Sequence, residues 1–167
     1  MSQEILWAPW RLQYIKKPKD QAGPDCFLCR YIQGGNDAEN FVVARSEKTI
    51  TVLNRYPYNN GHLLIAPLSH KAGFDELDDA EMLGCMQTVQ QMTSAMQRCL
   101  APEGFNIGLN LGKVAGAGLP GHLHWHVVPR WSGDTNFMTV VSDATVIPQS
   151  LQALYDLLKE TLAQVAS

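Results

Sequence analysis

The sequence predicts an α+β domain in which an antiparallel sheet of four or five strands packs against two main helices. Two observations predict this class. Several short apolar segments are bounded by Gly, Pro and Asn, as strands commonly are. Two longer segments, near the middle and at the end of the chain, repeat apolar residues at helical spacing, so helices and strands are segregated. At 167 residues the chain is interpreted as one domain, 1–167.

Composition limits the classes of function. The chain is 46% hydrophobic with a net charge of −3, which favours a globular protein and gives no general attraction to nucleic acid or to anionic membranes. No apolar run approaches the roughly 18–20 residues of a membrane span. The start of the chain lacks the basic and apolar regions of a secretory signal. We therefore expect a cytoplasmic protein that attracts any anionic ligand through a local site.

The chain is predicted to begin with an arm and a helical turn. Residues 1–24 mix aromatic, basic and proline residues with weak periodicity, which indicates an arm lying over the domain and anchored by Trp7 and Trp10. A short helical turn follows Cys26 and is stopped by the pair Gly34–Gly35.

Three strands are predicted next. Residues 41–54 form two short strands joined by a polar turn at Ser46–Lys48. The segment 55–61 is a loop rich in Pro, Asn and Gly. Residues 62–68 are short, apolar and bounded by turn residues, which is typical of a buried strand.

The clearest helix is predicted over residues 75–100, with Asp78 or Asp79 as its N-terminal cap. Apolar residues recur at steps of three, four or seven and form one face. That face comprises Met82, Met86, Val89, Met96 and Cys99. We interpret this stripe as core packing rather than as a soft-metal site, and the thiols of Cys85 and Cys99 likewise as core groups.

The rest of the chain combines two strands, a loop and a helix. Residues 105–112 are predicted as a strand that runs into the glycine-rich loop "GKVAGAGLPG". A second strand starts at residue 122 and ends at Pro129. A second amphipathic helix spans 148–166, opened by Pro148. Its apolar face comprises Leu151, Leu154, Leu158 and Leu162.

Three of the five histidines alternate with apolar residues in "HLHWH", at His122, His124 and His126. Side chains at every second position of a strand point to the same face, so the three imidazoles share one face. Leu123 and Trp125 then face the core. Two interpretations remain open at this point. All three histidines bind one catalytic metal, as in some zinc sites, or they divide the roles of ligand, nucleophile and proton donor or phosphate binder.

The glycine-rich loop favours divided roles. Gly112, Gly116, Gly118 and Gly121 allow backbone amides to approach a ligand closely and to form an anion-binding concavity. The loop matches neither the Walker A pattern nor the dinucleotide-binding glycine pattern. Its position directly before the alternating histidines places anion-binding donors beside a neutral nitrogen nucleophile.

A pair of nearby cysteines, Cys26 and Cys29, has two interpretations. The pair can be a redox couple, although no thioredoxin-like pattern surrounds it. Alternatively, it supplies half of a tetrahedral zinc site. Besides the three alternating histidines, only His62 and His70 are available to complete such a site.

These motifs together resemble the histidine triad family. The segment "HLHWHVV" resembles the family's signature, "LNRYPYNNGHLLIAPLSH" resembles its strand–loop–strand, and "CFLC" resembles the first ligand pair of its zinc-binding variant. The resemblance covers about residues 25–131. The segments "LWAPWR" and "RWSGDTNF" further resemble a bacterial branch of dinucleoside polyphosphate phosphorylases or hydrolases.

The resemblance implies a fold, an assembly and an activity. The fold would be a five-stranded antiparallel sheet with two helices, and the protein would be a homodimer in which two sheets join. The activity would be that of a nucleotidyl hydrolase or transferase acting on a dinucleoside polyphosphate, with phosphorolysis favoured over hydrolysis. A nucleoside phosphoramidase is the alternative, and a nucleotide-binding module without catalysis is disfavoured because His124 is present.

Roles for individual residues also follow from the resemblance. His124 would be the nucleophile that forms a nucleotidyl-histidine intermediate, and His126 would contact the phosphate and help to protonate the leaving group. A structural zinc ion would be held by a set of two cysteines and two histidines. That set is Cys26, Cys29, His70 and His122.

The resemblance implies a nucleotide-binding set as well. Asn54 would hold the ribose, Asn110 would lie on the phosphate side, and the loop residues Gly116, Ala117 and Gly118 would offer amides to the α-phosphate. His62 is interpreted either as structural or as a residue that supports the ligand-contacting side chains from behind. The chain departs from the family at Leu119, where many relatives have a Ser or Thr hydroxyl that bonds the α-phosphate, so a side-chain donor is lost here.

Overall fold

The structure, a computed structural model, describes residues 26–134 and 147–166, so the arm expected over 1–24 lies outside the described residues. Its elements confirm the α+β class. The strands are β1 Val42–Arg45, β2 Thr49–Leu53, β3 Leu63–Pro67, β4 Gly104–Leu109 and β5 Trp125–Arg130. The helices are α1 Phe27–Ile32, α2 Asp79–Leu100 and α3 Leu151–Ala166, and a 3-10 turn spans Phe74–Glu76.

The five strands form one antiparallel sheet in the order β1-β2-β3-β5-β4. Ser46 closes the predicted turn between β1 and β2, since its hydroxyl accepts the amides of Lys48 and Thr49. Strand β5 lies inside the sheet, because it pairs with β3 on one side and with the edge strand β4 on the other. The strand that carries His126 therefore lies between the two strands that flank the candidate site.

Each face of the sheet supports its own apolar core. Leu63 and Ile65 of β3 pack under α2 and α3, whereas Leu64 and Ala66 pack with α1 on the opposite face. Because β3 is buried on both faces, it is apolar at every position, as its sequence predicted. Leu64 is paired with His126 in register, so His126 lies on the face that carries α1.

Helix α2 begins at Asp79, four residues later than predicted. Asp78 is the N-cap: its carboxylate accepts the amide of Glu81 at 2.7 Å, and the Glu81 carboxylate accepts the amide of Asp78 at 3.0 Å. This reciprocal pair is a capping box, which fixes where the helix starts. The residues predicted as its first turn form the separate 3-10 turn instead.

The predicted apolar face of α2 is partly wrong. Met86 is 40% exposed, whereas Met92, which the prediction omitted, is fully buried. Helical spacing explains both results, because Cys85, Val89 and Met92 form the inward stripe and Met86 lies about 100° around the helix from Cys85. Met82 and Cys99 are partly buried against the same core, in agreement with the prediction.

Several element ends differ from the prediction. Strand β5 was expected from residue 122 to Pro129 and runs from Trp125 to Arg130. Pro67 at the end of β3 has no amide hydrogen with which to extend the ladder. The backbone amide of Leu123 donates instead to the Lys71 carbonyl at 2.7 Å.

The other differences lie at β4 and α3. Strand β4 was expected over 105–112 and ends at Leu109, and helix α3 starts at Leu151 rather than at Pro148. The Ser150 hydroxyl accepts the amide of Ala153, so Ser150 caps the helix. None of the helices in the described ranges is long and apolar enough to cross a membrane.

The contrast between two methionines of α2 tests this packing. We expect Met92→Ala to lower the free energy of unfolding by about 2–5 kcal/mol, because it leaves a cavity in the core. Met86→Ala should change it by no more than about 0.5 kcal/mol, because that side chain lies at the surface. Chemical denaturation of the two variants measures both values. Equal losses would contradict the placement of the two side chains.

Candidate functional site

The alternating histidines lie opposite the core. Leu123 and Trp125 pack in the core under α2 and α3, while the rings of His124 and His126 contact each other edge to face at 5.0 Å between centroids. His122 is fully buried and points to the cysteines of α1. The extended backbone therefore carries the three imidazoles on one face, although only His126 lies within the hydrogen-bonded strand.

Four residues form a group that can hold a metal ion, and their ligand atoms all lie within 4.8 Å of one another. These residues are Cys26, Cys29, His70 and His122. The Nδ1 atom of His122 is 3.4 Å from Cys26 Sγ and 3.5 Å from Cys29 Sγ, and His70 Nδ1 is 3.1 Å from Cys29 Sγ. In a tetrahedral zinc site a sulfur and a nitrogen ligand lie about 3.5 Å apart. The donor set and its spacing therefore fit zinc.

Local structure explains how these ligands meet. Cys26 is the N-cap of α1, and Cys29 follows one turn later on the same side of the helix. His122 donates its Nε2 proton to the Pro67 carbonyl at 2.9 Å, which leaves Nδ1 free as a ligand atom. Burial lowers the pKa of His122 to about 4, so the imidazole is neutral, as a metal ligand must be.

The protonation of Cys29 is linked to metal binding. Burial, and then a hydrogen bond with the Cys26 thiol, raise the pKa of Cys29 to about 11, so without a metal this group is a neutral thiol near pH 7. A divalent metal would bind the thiolate, and its binding would release the thiol proton. Of the three alternating histidines, only His122 belongs to this group. The geometry therefore favours divided roles over one metal held by all three.

His124 is buried, at 8% exposed, and carries a lone pair on one ring nitrogen. Its Nδ1 donates to the backbone carbonyl of His122 at 2.8 Å, so the proton is on Nδ1 and Nε2 is unprotonated. Burial lowers the pKa of His124 below its ordinary value of 6.5. The ring is therefore neutral near pH 7, and its Nε2 has the electron pair that nucleophilic attack requires.

His62 orients His126, which agrees with the second of its two predicted roles, support of a residue that contacts the ligand. The Nδ1 atom of His62 accepts the amide of Tyr58 at 3.1 Å and the side-chain amide of Asn54 at 3.2 Å. The proton of His62 is therefore on Nε2, and it is donated to Nδ1 of His126 at 2.9 Å. A neutral His126 must then carry its own proton on Nε2, where it can be given to a ligand. The only sequence signal for this role was the glycine–histidine pair before a buried strand.

Both members of this pair are neutral near pH 7. Burial, followed by repulsion from the neighbouring imidazoles, lowers the pKa of His62 to about 3 and the pKa of His126 to about 4. A neutral imidazole can donate its Nε2 proton in a hydrogen bond, but it transfers a proton to another group only after it has itself been protonated to imidazolium. An anionic ligand beside His126 would raise its pKa and favour this role.

The loop that carries Tyr58 is held by close packing. Gly61 has φ of +80°, and a Cβ there would lie 2.7 Å from a ring carbon of Pro129. Asn59 donates its side-chain amide to the Pro129 carbonyl and to the Asp134 carboxylate. These contacts place the Tyr58 ring over His126, nearly parallel to it, with 5.7 Å between centroids.

A cavity of about 280 Å³ lies on β4 and β5 next to these rings. It is lined by Tyr58, Asn106, Ile107, Gly108, Leu109, Asn110, His126 and Val128. The Nδ2 atom of Asn110 is 3.5 Å from Nε2 of His126, and because both nitrogens carry protons in this tautomer they are two neighbouring donors rather than a hydrogen-bonded pair. The structure thus brings the predicted phosphate-side residues Asn110 and His126 together at the cavity wall.

The predicted ribose ligand and phosphate loop are arranged differently. Asn54 directly follows β2, and its side-chain Oδ1 accepts the amide of Tyr56 at 2.9 Å, so part of its hydrogen-bonding capacity is used within the loop. The amides of Gly116 and Ala117 donate to Lys113 and Gly112 inside the glycine-rich loop. In this conformation they do not face a ligand as expected, because the loop forms a closed turn.

The unusual Leu119 has a packing role. It is 7% exposed and belongs to the core cluster that includes Cys26 and Leu64. Its side chain therefore supports the face that carries α1 and contributes no donor to a phosphate. Gly118, between the closed turn and Leu119, is the loop residue whose amide remains from the predicted set.

Comparison with known proteins gives three findings. The sequence profile described as "HIT domain" matches residues 36–133. A protein named "AP-4-A phosphorylase" from Mycobacterium tuberculosis is 40% identical over 153 residues, which are 88% of this chain and 78% of that protein. The crystal structure of a Zn-bound histidine triad family protein from Mycobacterium smegmatis has a TM-score of 0.69 and 26% identity, and it covers 85% of this chain and 96% of its own.

A more distant relative bears another name. The "Adenosine 5'-monophosphoramidase hnt1" of Schizosaccharomyces pombe is 25% identical over 129 residues, which are 77% of this chain and 92% of that protein.

Metal content of two histidine variants tests the division of roles. We expect His122→Asn to lose the bound zinc, because it removes one of four ligands from a closed set. His124→Asn should retain one zinc per chain, because His124 lies outside the set. Elemental analysis of the purified proteins after dialysis gives the stoichiometry. Loss of zinc from His124→Asn would instead support the interpretation in which all three alternating histidines bind one metal.

The dependence of stability on pH tests the burial of neutral imidazoles. In the unfolded chain His62 has its ordinary pKa of 6.5 and binds a proton as the pH falls from 7 to 5, whereas the folded His62, with a pKa of about 3, does not. The free energy of unfolding therefore decreases as the pH falls from 7 to 5, by roughly 2 kcal/mol for this one residue. Denaturation at pH 7 and pH 5 should show a smaller fall in His62→Asn than in the original chain.

A matched control keeps this test specific. Thr88→Val removes the buried hydroxyl contact with Thr49 but no titratable group, so it should keep the original pH dependence. An unchanged pH dependence in His62→Asn would show that His62 is not held neutral in the folded protein.

Proposed function

The chain belongs to the HIT domain family of histidine triad proteins, and on that premise we propose that it is an enzyme that cleaves dinucleoside polyphosphates of the diadenosine tetraphosphate type. The name of the M. tuberculosis relative supports the substrate class. The single observation that carries the chemistry is the pair of fixed protons in the histidine cluster. One imidazole has a free lone pair, and its neighbour has a proton to donate.

In the first step, the lone pair on Nε2 of His124 attacks the α-phosphorus of the substrate. The P–N bond forms as the bond to the leaving oxygen breaks. His126, protonated because the bound anion raises its pKa, passes the proton on Nε2 to that oxygen and becomes neutral. The products are a nucleotidyl-histidine and a free nucleoside polyphosphate. The neutral nucleophile needs no prior loss of a proton, which suits a site that lowers the pKa of every imidazole in the cluster.

The second step reverses the first with a new acceptor. His126, now with an unprotonated Nε2, takes a proton from the acceptor, whose oxygen attacks the phosphorus as the P–N bond breaks. Phosphate as acceptor gives a nucleoside diphosphate, and water gives a monophosphate. In the free site His62 fixes the proton of neutral His126 on Nε2, since Tyr58 and Asn54 keep the His62 proton on its own Nε2.

The phosphate charge needs local donors, because the chain as a whole has a net charge of −3. Asn110 and the amide of Gly118 are the donors we assign to the α-phosphate, and Asn54 is assigned to the ribose. Gly116 and Ala117 would join them only if the closed turn opens when the substrate binds. Positioning and hydrogen bonding of this kind are the main means by which proteins catalyse phosphoryl transfer.

The zinc ion is assigned a structural role. When bound, it would join α1, the segment after β3 and the approach to β5, since its ligands come from these three segments. It would thus fix the backbone on which His124 lies. We further propose that the protein is a homodimer whose two sheets join at the β4 edge, where Ile107 is 48% exposed. We also propose that it is cytoplasmic and binds no nucleic acid.

A phosphoramidase is the second candidate, favoured by the similarity to the S. pombe relative. Its chemistry uses the same two steps with an amine in place of the leaving phosphate. The two candidates therefore differ in the leaving group and share the histidine cluster.

Product analysis distinguishes these candidates. The protein is incubated with diadenosine tetraphosphate, with and without inorganic phosphate, and in parallel with adenosine 5'-phosphoramidate. We expect ADP and ATP that appear only with phosphate, and we expect His124→Asn to abolish the reaction. AMP and ATP without phosphate would indicate hydrolysis. Turnover of the phosphoramidate alone would contradict the proposal and support the second candidate.

A further inference from the structure

Glu81, in the first turn of α2, has a buried carboxylate with more contacts than its helix needs. The residue is 8% exposed. One oxygen accepts the Ser69 hydroxyl at 2.5 Å, and the other accepts the Lys71 ammonium at 2.6 Å and the Asp78 amide at 3.0 Å. Only the last of these belongs to the capping box. The other two join the start of α2 to the segment after β3.

Ser69 and Lys71 are the two chain neighbours of His70, one of the four metal-ligating residues. His70 is the exposed member of that set, so packing around its own side chain does little to hold it. Glu81 fixes the chain on both sides of it. The Lys71 carbonyl also accepts the amide of Leu123, which connects this segment to the backbone between His122 and His124.

We propose that Glu81 is a positioning residue for the metal centre, holding Ser69 and Lys71 so that His70 is already at its ligating position when the metal binds. The inference rests on the metal site of the proposed function. Its physical basis is preorganisation: a ligand on an unanchored loop must be ordered at the moment of binding, and this cost weakens the complex. Residues that orient metal ligands typically contribute about 10- to 100-fold in metal affinity.

A role in helix capping alone would leave two observations unexplained. Capping uses only the contact between Glu81 and the amide of Asp78, whereas the carboxylate also binds a hydroxyl and an ammonium group. The capping box also offers a matched control. In Asp78→Ala the acceptor for the Glu81 amide is lost and the helix start is weakened, yet Glu81 keeps both of its contacts to the His70 segment.

Zinc affinity of the full-length protein, measured by competition with a chromogenic chelator, tests the proposal. We expect Glu81→Gln to bind zinc about 10- to 100-fold more weakly than the original chain. Asp78→Ala should bind zinc within about threefold of the original chain, since its effect is confined to the helix. Chemical denaturation of each metal-free protein shows whether the variants are folded to the same extent.

Two further variants keep the test valid if Glu81→Gln folds poorly. Ser69→Ala and Lys71→Met each remove one contact and leave Glu81 in place, and each should weaken zinc binding. Equal zinc affinity in Glu81→Gln and the original chain, or equal weakening in Asp78→Ala, would overturn the proposal. An original chain that binds no zinc would overturn it as well. Zinc binding is read without substrate, so this result is independent of whether the chain cleaves dinucleotides.

Discussion

The position of β5 between β3 and β4 is the constraint on which the rest of the site depends. Pairing on both sides fixes the direction of His126, and the extended backbone before it carries the same alternation to His124 and His122. The intervening Leu123 and Trp125 anchor the segment in the core. A slip of one residue would turn every imidazole into the core and every apolar side chain into the site. Register is therefore a condition of the chemistry.

Burial and tautomer together decide what each imidazole can do. Burial lowers the pKa of His62, His124 and His126, so these imidazoles are neutral until an anionic ligand binds. The positions of the remaining protons are then set by backbone groups: the His122 carbonyl holds the proton of His124 on Nδ1, and the Tyr58 amide holds that of His62 on Nε2. A nucleophile and a proton donor thus lie side by side without an ion pair. The metal centre includes His122, two residues before His124, and therefore supports the same backbone segment.

The sequence predicted the class of fold and each strand of the described residues, because periodicity and turn residues report them directly. The four-ligand set followed from the resemblance to the histidine triad family, and the structure brings these four residues together. The sequence pattern also indicated Asp78 as a candidate N-cap of α2, which is confirmed, although it began the helix four residues too early. It missed what contacts between distant segments decide, such as the start of β5, where Pro67 of β3 has no amide hydrogen with which to extend the ladder. The proton position of His126 depends on His62, whose own proton position is set by the backbone amide of Tyr58 in the loop between β2 and β3. The resemblance assigned the amides of Gly116 and Ala117 to a ligand, and in this structure those amides hydrogen-bond within their own loop.

Location of the covalent intermediate tests the central claim, that neighbouring histidines have different roles, most directly. The protein is mixed with diadenosine tetraphosphate, quenched within the first turnover under conditions that preserve P–N bonds, and analysed by peptide mass spectrometry. The account predicts one adenylyl group, attached to His124. An adenylyl group on His126 or His62, or its absence at a time when substrate is being consumed, would contradict the assignment of the nucleophile.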